Sequence, residues 1–115
     1  MATLKNALIP ALASAALFGA MPSAHALDAA AASALAGKGA CVACHAAERK
    51  LVGPAYKDIA KKYAGDANAQ AYLAKKIRSG GSGVWGSMPM PPQATLSDAE
   101  IGTLAEWVLA GAPPK

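Results

Sequence analysis

Cys41 and Cys44 are the only cysteines in the chain, and His45 follows directly in the stretch GKGACVACHAAE at 37–48. Three chemistries use cysteines at this spacing. A C-x-x-C pair outside the cytoplasm serves thiol redox, but such centres sit in a βαβ context, and no segment of this sequence alternates convincingly with a period of two. Structural zinc asks for four ligands, and no second Cys/His cluster follows. The third chemistry is C-x-x-C-H, the pattern of covalent haem attachment. Two thiols add across two vinyl groups to form thioethers. Residues three apart share one face of a helical turn, so both sulfurs reach one porphyrin edge while His45 offers its imidazole to the iron. Spacing and order agree with this reading, which calls for one haem c.

A second axial ligand has few sources. Of two histidines, His25 falls in a segment expected to be removed, so a bis-histidine centre is excluded. The soft donors beyond residue 26 are Met88 and Met90, both in GSMPMPPQ. A methionine on a helical stripe is usually core filler, but these two lie in a stretch stiffened by Pro89, Pro91 and Pro92, which fix φ and lower the entropy of presenting a thioether. On spacing alone either methionine reaches the iron.

The elements that must position these groups read as helices. DAAAASALAG (28–37) is alanine-rich behind Asp28, a good N-cap. PAYKDIAKKYAG (54–65) puts Tyr56, Ile59, Ala60 and Tyr63 on one stripe and ends at Gly65. DANAQAYLAKKIRSGG (66–81) opens on Asp66, is expected to bury Tyr72, Leu73 and Ile77, and stops at Gly80. SDAEIGTLAEWVLAG (97–111) opens with a Ser97–Glu100 capping box and repeats at Ile101, Leu104, Ala105 and Val108. Between the last two helices, GSGVWGSMPMPPQAT (81–95) holds too many Gly and Pro residues for regular structure. The predicted fold class is all-α.

The first 26 residues read as a cleavable export signal. Lys5 precedes the apolar run ALIPALASAALFGA (7–20), and Ala24-His25-Ala26 matches the small-residue cleavage pattern. Fourteen residues fall short of the roughly 20 needed to span a bilayer, so no stable membrane insertion is expected after cleavage. The domain is then 27–115, with a periplasmic location. That segment contains no phenylalanine, and its aromatics are Tyr56, Tyr63, Tyr72, Trp85 and Trp107. A chain this short has a marginal core, which calls for a large apolar group from outside the polypeptide. Without Lys5 the eleven basic residues fall to ten against seven acidic, a formal +3. That is too diffuse for nucleic acid, and no acid–base or nucleophile constellation stands apart from the cysteine motif.

GACVACH, VGPAYKDIAKKYAG, GVWGSMPMPPQ and LAEWVLAG together resemble the small bacterial class I cytochromes c of the c-551 (c8) type, across nearly all of 27–115. The resemblance implies a class I cytochrome c fold, four to five short helices wrapped around one covalent haem. It carries over Cys41 and Cys44 as thioether cysteines and His45 as proximal ligand. Pro54 is implied as the carbonyl partner of His45, Met90 rather than Met88 as the methionine ligand, and Trp85 as an indole donor to a haem propionate. Val42, Ala43, Leu51, Val52, Met88, Pro91 and Pro92 are implied as an apolar collar. The sequence departs from the pattern in having Lys76 where the archetype has arginine, with Arg78 as the nearest alternative cation, and Gln93 where it has asparagine. The implied function is that of a non-enzymatic, monomeric electron carrier that docks transiently with membrane or periplasmic redox proteins, between a quinol-oxidising complex and a terminal reductase or oxidase. A haem enzyme or gas sensor with an open sixth site is the alternative. Lys57, Lys61, Lys62, Lys75 and Lys76 are read as either a docking surface or a solvated face.

Overall fold

Asp28 and Ser97 open the first and last helices as their sequence contexts predict. The structure, a computed structural model, describes residues 14–16, 19 and 27–114. The expected cleavage site at 24–26 lies outside the described residues. In order come α1 (Ala29–Lys38), a 3-10 turn (Cys41–Ala43), α2 (Tyr56–Lys62), α3 (Ala69–Ser79) and α4 (Asp98–Leu109). Asp28 accepts from the Ala31 N–H at 3.0 Å. The Ser97 hydroxyl accepts from Glu100 N at 3.1 Å while the Glu100 carboxylate accepts from Ser97 N at 3.0 Å, so two otherwise free donors are satisfied reciprocally. The same carboxylate meets Lys38 of α1. These hydrogen bonds, the Ser97 contacts first, hold the Glu100 pKa below the ordinary carboxylate value.

The middle helices are shorter than expected. Asp66 does not cap α3. Its carboxylate accepts from Asn68 N at 2.8 Å, a local turn that competes with helix, and α3 begins only at Ala69. α2 ends at Lys62 with Tyr63 as its C-cap, before Gly65 takes a left-handed φ of 76°. α3 stops at Gly80 as expected, at a φ of 65°.

α4 is the centre of the core and packs on α1, α2 and α3, most extensively on α3. Ile101, Leu104, Ala105, Trp107 and Val108 are buried against Ala32 and Ala36 of α1, Tyr56 and Ile59 of α2, and Leu73 of α3. Leu104 is 2% exposed, and truncating such a residue to alanine costs about 2–5 kcal/mol. Tyr72, expected in this core, is 40% exposed. It stands 5.4 Å from the ring of Tyr63, on the wall of a large cleft. No regular strand occurs among the described residues, only two isolated bridges, His45 with Lys50 and Gly81 with Met90.

Candidate haem-binding site

The 3-10 turn places Cys41 and Cys44 on one wall of a cleft enclosing about 1380 Å³ out to its open mouth. Both cysteines are free and half-buried. Burial, with the neighbouring Cys44 adding, pushes the Cys41 thiol pKa up. The turn is closed by Cys44 N and His45 N, which donate to Cys41 O at 3.1 and 2.9 Å. The segment that follows folds back on it, with Gly53 N donating to Cys44 O at 2.8 Å and Tyr56 N to Ala46 O at 3.0 Å.

His45 is gripped from three sides. Its Nδ1 lies 2.8 Å from the Pro54 carbonyl oxygen. This partner makes Nδ1 the protonated nitrogen of the neutral ring and leaves Nε2 as the donor atom for a metal. Gly53 lies flat against the imidazole, and a Cβ there would come within 2.5 Å of Cε1. On another side the Tyr56 ring stacks on His45 with centroids 5.3 Å apart, and Trp107 meets Tyr56 edge-on at 5.3 Å. Trp107 is fixed in turn by its Nε1–H donating to Pro113 O at 3.1 Å. The ring orientation of His45 is thereby tied to the core of α4.

The opposite wall is the loop after α3. Gly81 and Met90 exchange both backbone hydrogen bonds, at 3.0 and 2.9 Å, and a Cβ on Gly80 would collide with the Met90 carbonyl oxygen. Glycine is required there both for its positive φ and for this close approach. Met90 is half-buried, whereas Met88 is 65% exposed at the rim. Trp85 lies on the rim at 42% exposure, with Lys62 Nζ 5.6 Å from its ring centre. Cys41, Cys44, His45, Pro54, Trp85 and Met90, the six residues singled out from the sequence, all line this one cleft.

The two departures from the family pattern, at positions 76 and 93, are placed differently by the fold. Lys76 lines the cleft, but Arg78 turns away, its guanidinium donating to the carbonyls of Gln93 and Leu96 at 2.7 Å each and meeting Asp98 at 2.7 Å. The Gln93 side chain also points elsewhere, donating to Gly39 O at 2.9 Å and accepting from Thr95. Gly53 and Tyr56 were not singled out for the imidazole's orientation. The G-P pair at 53–54 was the available signal.

The lining fits a flat apolar group held from outside the polypeptide. It is chiefly apolar, with two thiols on one edge and an oriented imidazole beside them. The Tyr56 hydroxyl is buried with no hydrogen-bond partner, and burial raises its pKa well above the ordinary phenol value. An unsatisfied buried donor costs about 1–3 kcal/mol, so it marks a site not completed by protein alone. Among the described residues, no three His, Cys, Asp or Glu side chains converge as a metal cluster.

Residues 29–112 match the family model described as Cytochrome c. The chain is 61% identical over 70 residues to cytochrome c-551 of Pseudomonas aeruginosa, an alignment covering 61% of the chain and 66% of that relative, just under two thirds. It is 59% identical over 76 residues to cytochrome c-552 of Hydrogenobacter thermophilus, covering 66% of the chain and 76% of the relative. The crystal structure of wild-type Nitrosomonas europaea cytochrome c552 superposes with a TM-score of 0.66 at 55% identity, covering 68% of this chain and 96% of that one. The fold and cleft therefore define an all-α protein with one covalently attached haem c. The chain belongs to the cytochrome c family, as a small class I member of the c-551 type with a part in electron transport.

Proposed function

We propose that the protein is a one-electron carrier of the periplasm, released as 27–115 after removal of residues 1–26 and acting as a monomer. Haem iron cycling between its ferric and ferrous states supplies the electron chemistry. Cys41 and Cys44 would hold the group through two thioethers, and His45 Nε2 and the Met90 sulfur would be the two donors to its iron. Pro54 keeps the imidazole protonated at Nδ1 and oriented, and Trp85 donates to a propionate at the rim. The neutral thioether of Met90 favours the ferrous state more than a second imidazole does. With both donors supplied by side chains, no place would be left for a substrate on the metal, which supports a carrier over an enzyme.

The observation that carries this reading is the convergence of two braced donors on one apolar cleft. His45 Nδ1 is tied at 2.8 Å to Pro54, and the Met90 backbone is tied in both directions to Gly81. Partners dock where the group's edge meets solvent. The rim there carries Val52, Val84 and Met88, 50%, 44% and 65% exposed, an apolar patch of the small size that suits transient redox encounters. Electron donor and acceptor are membrane-bound or periplasmic redox proteins, a quinol-oxidising complex on one side and a terminal reductase or oxidase on the other.

The test is the near-infrared methionine–Fe(III) band of the haem-loaded protein. Met88→Leu is expected to preserve it and to move the potential little. Met90→Leu is expected to abolish it, lower the potential and open the iron to cyanide. Survival of the band in Met90→Leu with its loss in Met88→Leu would reverse the assignment.

A further inference from the structure

The stretch from Met90 to Ser97 has a backbone that cannot hold itself. Pro91 and Pro92 have no N–H to give, no regular element runs through it, and Met90, Gln93 and Leu96 must nevertheless stay fixed relative to α3. Met90 is held by its exchange with Gly81, and Gln93 N donates to Ile77 O at 3.1 Å. The carbonyls of Gln93 and Leu96 are taken by one side chain. Arg78, in the last turn of α3, donates from Nη1 to Gln93 O and from Nη2 to Leu96 O, both at 2.7 Å. Its third contact, to Asp98 at 2.7 Å, leads on to the first turn of α4.

We propose that Arg78 is a positioning residue for the methionine-bearing loop, a three-way clamp that sets how often Met90 leaves the iron. This rests on the reading of Met90 as axial ligand. The guanidinium suits the task because its planar fork reaches two carbonyls spaced along the chain, where an ammonium presents a point charge. Hydrogen bonds from a charged donor are the stronger kind, and the Arg78 side chain is 37% exposed, sheltered enough to keep them. The Asp98 carboxylate is 95% exposed, so that ion pair contributes little and the two carbonyl contacts carry the effect. Loops that open locally do so with a free energy below that of global unfolding, and releasing two such contacts lowers that opening barrier without touching the core.

The experiment measures cyanide binding to the ferric, haem-loaded protein, because cyanide enters only when the methionine departs. Arg78→Ala is expected to accelerate binding by about tenfold or more, from the loss of charge-assisted bonds to two carbonyls. Asp98→Asn is expected to leave the rate unchanged. Ile101→Val, a core change in α4 that leaves both Arg78–carbonyl contacts in place, controls for general destabilisation and is expected to leave the rate near that of the wild type. Arg78→Lys, which keeps the charge and loses the fork, is read if the alanine variant does not fold, and it is expected to lie above the wild-type rate. An unmoved rate in both Arg78 variants, or an equal rise in Ile101→Val, overturns the clamp. The wild-type near-infrared band keeps the two readings apart. Its absence rejects methionine ligation itself, whereas its presence with unmoved rates rejects only the role of Arg78.

Discussion

Gly53→Ala tests how the imidazole is held, and its cost follows from the geometry. A Cβ at position 53 would lie 2.5 Å from His45 Cε1 and 2.9 Å from each ring nitrogen, and ordinary contact begins at 3.4 Å. The ring would have to retreat by the difference, about 0.9 Å. Tyr56 stands against the same ring and is itself wedged on Trp107, both at 5.3 Å between centroids, so retreat meets the core. Overpacking of this kind costs about 1–3 kcal/mol. A shift of that size along the Nδ1–Pro54 bond also breaks it, removing about 1 kcal/mol more. Gly53 does not occupy the left-handed region, so alanine gains back about 0.4–1 kcal/mol through the unfolded chain. The net expectation is a loss of about 1–3 kcal/mol in guanidinium unfolding of the haem-loaded protein, at an unchanged m-value, together with a shifted reduction potential. A Gly53→Ala protein as stable as the wild type, with the same potential, would refute the grip on His45.

Two further outcomes are expected. The Cys41→Ala/Cys44→Ala double variant, which loses the attached haem, is expected to be largely unfolded at room temperature, because a core without phenylalanine depends on the cofactor's apolar area; native-like helical circular dichroism without haem would contradict this. Lys50→Glu, at a residue lining the cleft, is expected to slow reduction by the partner at low salt with an unchanged haem spectrum, since rim charges act on association; Lys57→Glu, whose site borders a separate hollow beside Trp107 and pairs with Glu48, is expected to change it little, and a reversed pattern would relocate the docking face.

The contrast between Lys57 and Lys61 shows where reading a sequence stops. Lys57 and Lys61 look alike on a helical wheel, but Glu48, nine residues away, neutralises one of them. Nothing in local periodicity records such a partner. What was legible is what is local. The Ser97–Glu100 box closes over three residues, Asp28 caps the helix it precedes, and the cysteines and His45 carry their chemistry in their spacing. Asp66 failed as a cap because two local solutions compete for an aspartate, and the turn to Asn68 won.

Tyr72 is the more instructive difference. An apolar stripe reports only that a face avoids water, and it does not say whether protein or a cofactor covers it. In α3 adjacent positions differ in their covering, for Leu73 is 8% exposed, shared between the core and the cleft edge, whereas Tyr72 is 40% exposed on the cleft wall. The same ambiguity explains Met88 and Met90, which spacing alone left equal. In the fold they differ in that Met88 lies exposed at the rim while Met90 pairs with Gly81, a contact made across the end of α3 and so invisible to a residue's immediate neighbours. The Arg78 contacts are of this second kind, reaching 15, 18 and 20 residues along the chain. A sequence rich in basic residues offers no reason to choose Arg78 for them. The fold makes the choice, because the last turn of α3 lies beside the carbonyls of Gln93 and Leu96, which accept from Arg78 and not from a backbone donor.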